Sequence, residues 1–155
     1  MSKVSKFNIS LVFVACLLCA FFCANAFADE AEPELEYTET PVYIDGLLSF
    51  RGYTVGDTTY LPLETTGAVL GYETESDFNY EKNTLTVEVG DIEIAVCKDD
   101  EYMSANGRYF YLPDGYMEID GSAVVPIDAI EKIFTLDANW DAELEAYDLD
   151  TANKA

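Results

Sequence analysis

The sequence predicts an α+β fold: antiparallel sheets of short strands carrying two short helices, built from two similar hairpin–helix–hairpin units. Three observations predict it. Apolar and polar residues alternate over short runs, the period of a half-buried strand. Turn dipeptides punctuate those runs at Asp45-Gly46, Gly90-Asp91, Asn106-Gly107 and Asp120-Gly121, where positive φ is needed. One device is also written twice, as "TTYLPLETTGAVLGY" from Thr58 and "SAVVPIDAIEKIFTL" from Ser122.

In chain order, residues 1–28 read as a secretory signal peptide. Lys3 and Lys6 precede the apolar run Ile9–Phe22, and small residues follow in "ANAFADE". Cleavage falls after Ala26 or Ala28, with Ala26-Phe27-Ala28 the better fit to a small-x-small site. An uncleaved anchor would need ~20 apolar residues, more than this run supplies. Residues 29–40, "DEAEPELEYTET", read as an acidic, disordered leader. The folded domain is expected over 41–150, with a tail at 151–155.

Within the domain, Val42–Ile44 and Leu47–Tyr53 flank the first turn. Leu85, Val87 and Val89 alternate before Gly90-Asp91, and Ile92, Ile94 and Val96 alternate after it. Two further hairpins surround Asn106-Gly107 and Asp120-Gly121. Pro62 and Pro126 are each expected in the first turn of a helix, where a missing N–H leaves nothing unpaired. After Pro126, Ile127, Ile130, Ile133 and Phe134 fall at helical spacing. After Pro62, Leu63, Val69 and Leu70 do so until Gly71, with Thr65 and Thr66 weakening the helix.

The two prolines set a repeat offset of 64 residues. Leu61-Pro62-Leu63-Glu64 then matches Val125-Pro126-Ile127-Asp128. Leu70 matches Phe134, and Asp77 matches Asp141. Upstream, Ile44-Asp45-Gly46 is expected to correspond to Ile119-Asp120-Gly121. Helices of about two turns are unstable alone, so each must bury its apolar face on a sheet.

Charge narrows the function. The chain carries 30 acids, 8 bases and no histidine, a net charge of −22. Loss of Lys3 and Lys6 with the signal takes it to −24. That field repels nucleic acid and anionic lipid, so neither nucleic acid nor, after signal cleavage, a membrane is expected as a partner. Cys16, Cys19 and Cys23 leave with the signal, and Cys97 alone cannot form an intramolecular disulfide. It also has no histidine to activate it as a nucleophile.

The arrangement resembles the copper amine oxidase N-terminal, or stalk, domain family. "VYIDG", "TTYLPLETTGAVLGY" and "NTLTVEV" are similar to the family's first copy. "MEIDG", "AVVPIDAIEKIF" and "ANWD" are similar to a second. The match spans about Pro41 to Leu149. Thr135 stands where the family favours glycine, and Glu75-Ser76-Asp77 replaces a tryptophan-aspartate. The resemblance implies an antiparallel sheet twisted around a helix in a non-catalytic module.

Several motifs imitate chemistry. "SDFNYE" places Asn79-Tyr80-Glu81 like an amine oxidase quinone motif, yet no imidazole exists to bind copper. It is read as a polar hairpin turn, and no cofactor or metal is expected. Asp137, Asn139 and Asp141 with Glu143, Glu145 and Asp148 imitate an EF-hand loop, but Ala142 replaces its glycine and Asp148 its glutamate. Glu64 and Asp128 recur as a pair, but both fall in first helical turns, where an acid favours the helix dipole. A ligand face is expected at Tyr102, Tyr109, Tyr111 and Tyr116, whose rings suit stacking on sugars or protein. The expected function is a secreted, non-catalytic, extracytoplasmic module that binds or spaces at the cell envelope, with a cell-wall component or envelope protein as partner. The alternatives are a wall-glycan or peptide binder acting through the tyrosine face, and, less favoured, a secreted acidic hydrolase.

Overall fold

The computed structural model describes residues 35–152. The expected signal peptide, residues 29–34 of the leader and residues 153–155 lie outside them. Strands dominate, so the domain is mostly β with two helices rather than an even α+β mixture. A seven-stranded sheet has the order β11 (Asp137–Asp141), β12 (Ala146–Asp150), β1 (Thr38–Ile44), β2 (Leu47–Val55), β3 (Thr58–Pro62), β10 (Ser122–Pro126), β9 (Met117–Ile119). A five-stranded meander has the order β4 (Thr74–Asn79), β5 (Thr84–Val89), β6 (Ile92–Cys97), β7 (Tyr102–Ala105), β8 (Arg108–Tyr111). Helix α1 spans Leu63–Val69 and α2 spans Ile127–Phe134.

The meander is antiparallel throughout. The larger sheet is mixed, because β1 pairs parallel to β12 with Val42 opposite Tyr147 and Ile44 opposite Leu149. Purely antiparallel pairing was expected, since periodicity names faces but not neighbours. The Asp45 N–H donates to Leu149 O at 3.1 Å. The Thr151 N–H and hydroxyl donate to the Asp45 carboxylate at 2.9 and 2.7 Å, holding its carboxyl below the usual range. These bonds tie the two ends of the domain together.

Strand β1 starts at Thr38, so the last three residues of the expected leader are in the sheet. Thr40 and Val42 continue an inward period of two that the surrounding acids mask. The Thr40 hydroxyl lies 2.7 Å from that of Thr54, which lies 2.9 Å from that of Thr59, so half-buried Thr54 satisfies two buried threonines across three strands.

At the centre of the larger sheet Leu61 faces Val125 across the β3–β10 ladder, with Tyr60 opposite Pro126 and Pro62 opposite Val124. Leu61 and Val125 are 64 residues apart, and the flanking hairpins keep that spacing: Tyr53 faces Tyr60, and Met117 faces Val124. By that spacing Gly56-Asp57 falls against Asp120-Gly121. Asp45-Gly46, expected to correspond, shares with Asp120-Gly121 positive φ at both central residues.

Pro62 and Pro126 are the last residues of β3 and β10 and stand at the helix N-caps, one position before the expected first turn. Neither helix has a side-chain N-cap bond. The Thr66 hydroxyl back-bonds to Pro62 O at 2.7 Å inside the core. Gly71 closes α1 at φ 87°, and Thr135 closes α2 in the left-handed region at φ 53°. Helix α1 packs on β10, β4 and β5, and α2 packs on β3, β10 and β11, so each helix reaches the strand that leads into the other. Tyr72, just after α1, and Phe134, at the end of α2, meet at 5.7 Å between ring centroids.

The main core lies between sheets and helices, around Leu61, Leu63, Val87, Val89, Ile94 and Ile130. A smaller cluster of Tyr60, Met117, Ile119 and Val124 covers the opposite face of the central strands. Tyr60 and its neighbour Leu61 point to opposite faces and are both fully buried. The central strands are therefore covered on both sides, like strands of a layered sheet. The Tyr60 hydroxyl donates to Asp114, and burial first, then this bond, pushes its pKa up.

Candidate functional site

The expected tyrosine face is divided by the structure. Tyr102 and Tyr111 are cross-strand partners on β7 and β8, with ring centroids 5.4 Å apart. Tyr109 pairs with Ser104 on the same face and is 78% exposed. These three stand on the outer face of the meander, while Met103 and Phe110, of opposite parity, turn toward the core.

Tyr116 does not join them. It lies half-buried in the loop before β9, where its hydroxyl donates to Glu118 at 3.1 Å. Burial first, then Glu118, pushes its pKa up to about 12. The Lys98 ammonium sits 4.9 Å from the Tyr116 ring centroid, 5.0 Å from that of Phe78, and 3.6 Å from Glu118. Aromatic rings and an acid thus already hold the chain's own cation, which lines an adjoining cavity of about 270 Å³. The Pro113-Asp114-Gly115 turn carries Tyr116 off the β7–β8 hairpin, and alternation read from the sequence does not cross that turn.

A groove of about 530 Å³ runs along the free edge of β8. Tyr109 and Tyr111 line it with Tyr147 of β12, and Asp57, Asp128 and Lys132 contribute charge. Trp140 stacks edge-on against Tyr147 at 5.0 Å and is half exposed. Tyr147 and Trp140 escaped the sequence reading, because only the parallel β1–β12 pairing brings the C-terminal hairpin here. Arg108, at the turn end of β8, lies 5.6 Å over the Phe110 ring.

The chemistry-like motifs resolve into turns. The Asn79 side chain accepts from the Glu81 and Lys82 N–H groups at 3.1 Å each, and Tyr80 is 87% exposed at the tip. Asp141 accepts from the Glu143 and Leu144 N–H groups at 2.8 and 3.1 Å. The two hairpins thus share one side-chain-closed turn, and Asn83 and Glu145 share positive φ at its end. Asp141 plays the turn role of Asn79, 62 residues earlier, and not that of Asp77, which the 64-residue offset of the prolines matched to it. Asp137 and Asn139 face Asp150 and Asp148 along a flat ladder rather than wrapping a loop. Among the described residues, no group of three or more histidine, cysteine, aspartate or glutamate side chains is placed to hold a metal. Glu64 and Asp128 line different cavities. No helix of the described residues is long and apolar enough to cross a membrane.

Two packed sheets seating two short proline-led helices, with an aromatic edge groove, define a β-rich module of the stalk type. The chain belongs to the copper amine oxidase N-terminal domain family, whose model matches residues 44–148. That family is the non-catalytic domain of those oxidases. No curated protein and no solved structure matches the chain.

Proposed function

We propose that this protein is a secreted, non-catalytic module that binds or spaces at the cell envelope, and that its contact surface is the tyrosine groove beside β8. The reading includes a duplicated hairpin–helix–hairpin unit as the scaffold. One observation carries it: Tyr109 is largely exposed at the rim of a groove that two aromatic ring pairs, Tyr102–Tyr111 and Trp140–Tyr147, extend. Rigid rings offer contact area at low entropic expense. The absence of histidine from the sequence and the turn-bound state of the Asn79 and Asp141 side chains support the non-catalytic part.

The test is retention of the mature protein on purified cell wall, compared with Tyr109→Ala and Tyr111→Ala. The wild type is expected to be retained and the variants released. Equal, negligible retention of all three overturns the binding role. Turnover in a hydrolase or amine oxidase assay that disappears on mutating an acidic pair overturns the non-catalytic role.

A further inference from the structure

We infer that the free edge of β8 is a strand-addition site, which takes an extended segment of a basic polypeptide as a sixth strand of the meander. This rests on the reading of the groove as the contact surface and specifies how that contact is made.

The ladder shows which backbone groups are free. The Asn106-Gly107 turn makes Ala105 and Arg108 the first hydrogen-bonded pair of the β7–β8 hairpin, and such pairs alternate with non-bonded ones. The Leu112 N–H to Glu101 O bond at 2.7 Å keeps that phase. Tyr109 and Tyr111 therefore belong to non-bonded pairs, and their N–H and C=O groups point away from β7 into the groove. That row is the template an added strand uses.

The groove runs beside the whole of β8, since all four of its residues line it, and β8 is ~14 Å long at ~3.4 Å per residue. Side chains of one parity would meet Tyr147 and Ile127, and those of the other would meet the exposed tyrosines.

The other three edges are guarded. Strand β4 carries Glu75 and Asp77, β11 carries Asp137 and Asp141, and β9 is three residues long with Glu118 in its middle. Charge and shortness are the usual protections of an edge. The β8 sequence Arg-Tyr-Phe-Tyr has no acid, no proline and no bulge. In a chain with 30 acids, the uncharged run Tyr109–Tyr111 on an open edge stands apart.

Charge selects the occupant. The net charge of −22 draws basic segments and repels acidic ones, including a second copy of this chain. Within the groove Asp57 and Asp128 are balanced by Lys132 and by Arg108, the latter engaged over Phe110, so the selection rests on the charge of the whole chain rather than on the lining.

The probe is an end-blocked octapeptide alternating lysine and valine, titrated into the mature protein and followed by backbone amide shifts. We expect saturable shifts confined to Arg108–Leu112 and the groove walls. N-methylation of the four central peptide residues should weaken binding at least tenfold, as should glutamate in place of lysine. Tyr109→Pro removes the outward N–H at an edge position that tolerates proline and should abolish binding. Tyr109→Ala, which keeps the N–H, should weaken it only severalfold. Melting curves of both variants confirm that the fold is kept. Absence of binding at millimolar peptide, equal binding of the N-methylated peptide, or shifts elsewhere overturns strand addition. So does sedimentation as a dimer that Tyr109→Pro dissociates, which would assign the edge to a second copy. Wall retention lost in Tyr111→Ala, with no peptide pairing, leaves the groove as a glycan site and defeats only this inference. Peptide pairing without wall retention defeats only the envelope reading.

Discussion

Gly67→Ala is expected to destabilise the domain, against the usual order of helix propensity. Gly67 lies in the middle of α1, and replacing an interior helical glycine by alanine ordinarily gains ~1 kcal/mol. Here a Cβ would stand 2.6 Å from Val89 Cγ1, 3.4 Å from Val89 Cγ2 and 3.0 Å from Thr74 Cγ2. Val89 is fully buried and stiff at χ1, and both its methyl groups face the new atom, so no rotation clears the contact. The helix must lift from β5. Overpacking of this kind costs ~1–3 kcal/mol, and the direct clash with two neighbours puts it near the upper end. The net expectation is a loss of about 1–2 kcal/mol, read by urea unfolding with Trp140 fluorescence. Val89→Ala alone should lose about 2 kcal/mol or more, from two methyl groups at ~0.8 kcal/mol each plus a cavity. In the double variant the new methyl occupies part of that space, giving a favourable coupling of about 1–2 kcal/mol. A Gly67→Ala protein as stable as the wild type, or a coupling near zero, would refute the claim that close approach dictates glycine here.

Thr135→Gly should stabilise by about 1 kcal/mol, since a β-branched residue is strained at φ 53°; unchanged urea unfolding would contradict that strain. Glu75, Glu88 and Glu93 stand directly opposite one another across β4, β5 and β6, and like charges so placed destabilise by ~0.2–1 kcal/mol per pair. Glu88→Lys is expected to raise the melting temperature at low ionic strength, with the gain shrinking as sodium chloride shortens the Debye length; a gain indifferent to salt would show a non-electrostatic origin. Tyr53, Tyr60 and Tyr116 all have pKa values raised above 10, so their contribution to stability is complete below pH 10. Above that pH the unfolded chain releases protons first, and stability should fall through about pH 12, less steeply in Tyr116→Phe. Unfolding curves across that range check the slope, and identical slopes for wild type and variant would refute the assignment.

Local structure was legible wherever one residue type has one physical reason to stand at a position. Asp-Gly and Asn-Gly named their turns because both central residues need positive φ. Each proline marked a helix start because its nitrogen has no hydrogen to leave unpaired. Pairing partners were not legible. Val42 and Ile44 display an inward face whether their free edge meets a parallel or an antiparallel neighbour, so the β1–β12 pairing left no local trace. The start at Thr38 was hidden because the acids of the leader carry the compositional sign of disorder into a strand whose Thr40 and Val42 are buried.

The site was half legible for a related reason. Tyr102, Tyr109 and Tyr111 could be placed on one face because a two-residue turn transmits parity from β7 to β8. Tyr116 follows a proline-containing turn that transmits none, and Tyr147 comes from a strand more than thirty residues further on. A groove at a sheet edge is also a property of what is missing beside a strand. Alternation reads identically for β8 at an edge and for β5 in the centre, and only the assembled order shows which has an unoccupied side. What does reach back into the sequence is the guarding of edges. In a chain this acidic, an edge without acids departs from its own surroundings. The Tyr109–Tyr111 run is where that departure coincides with outward-facing backbone donors and acceptors. Edge protection and edge recognition use the same atoms, so a strand left unguarded on an otherwise guarded domain is the place where pairing with another chain meets the least opposition.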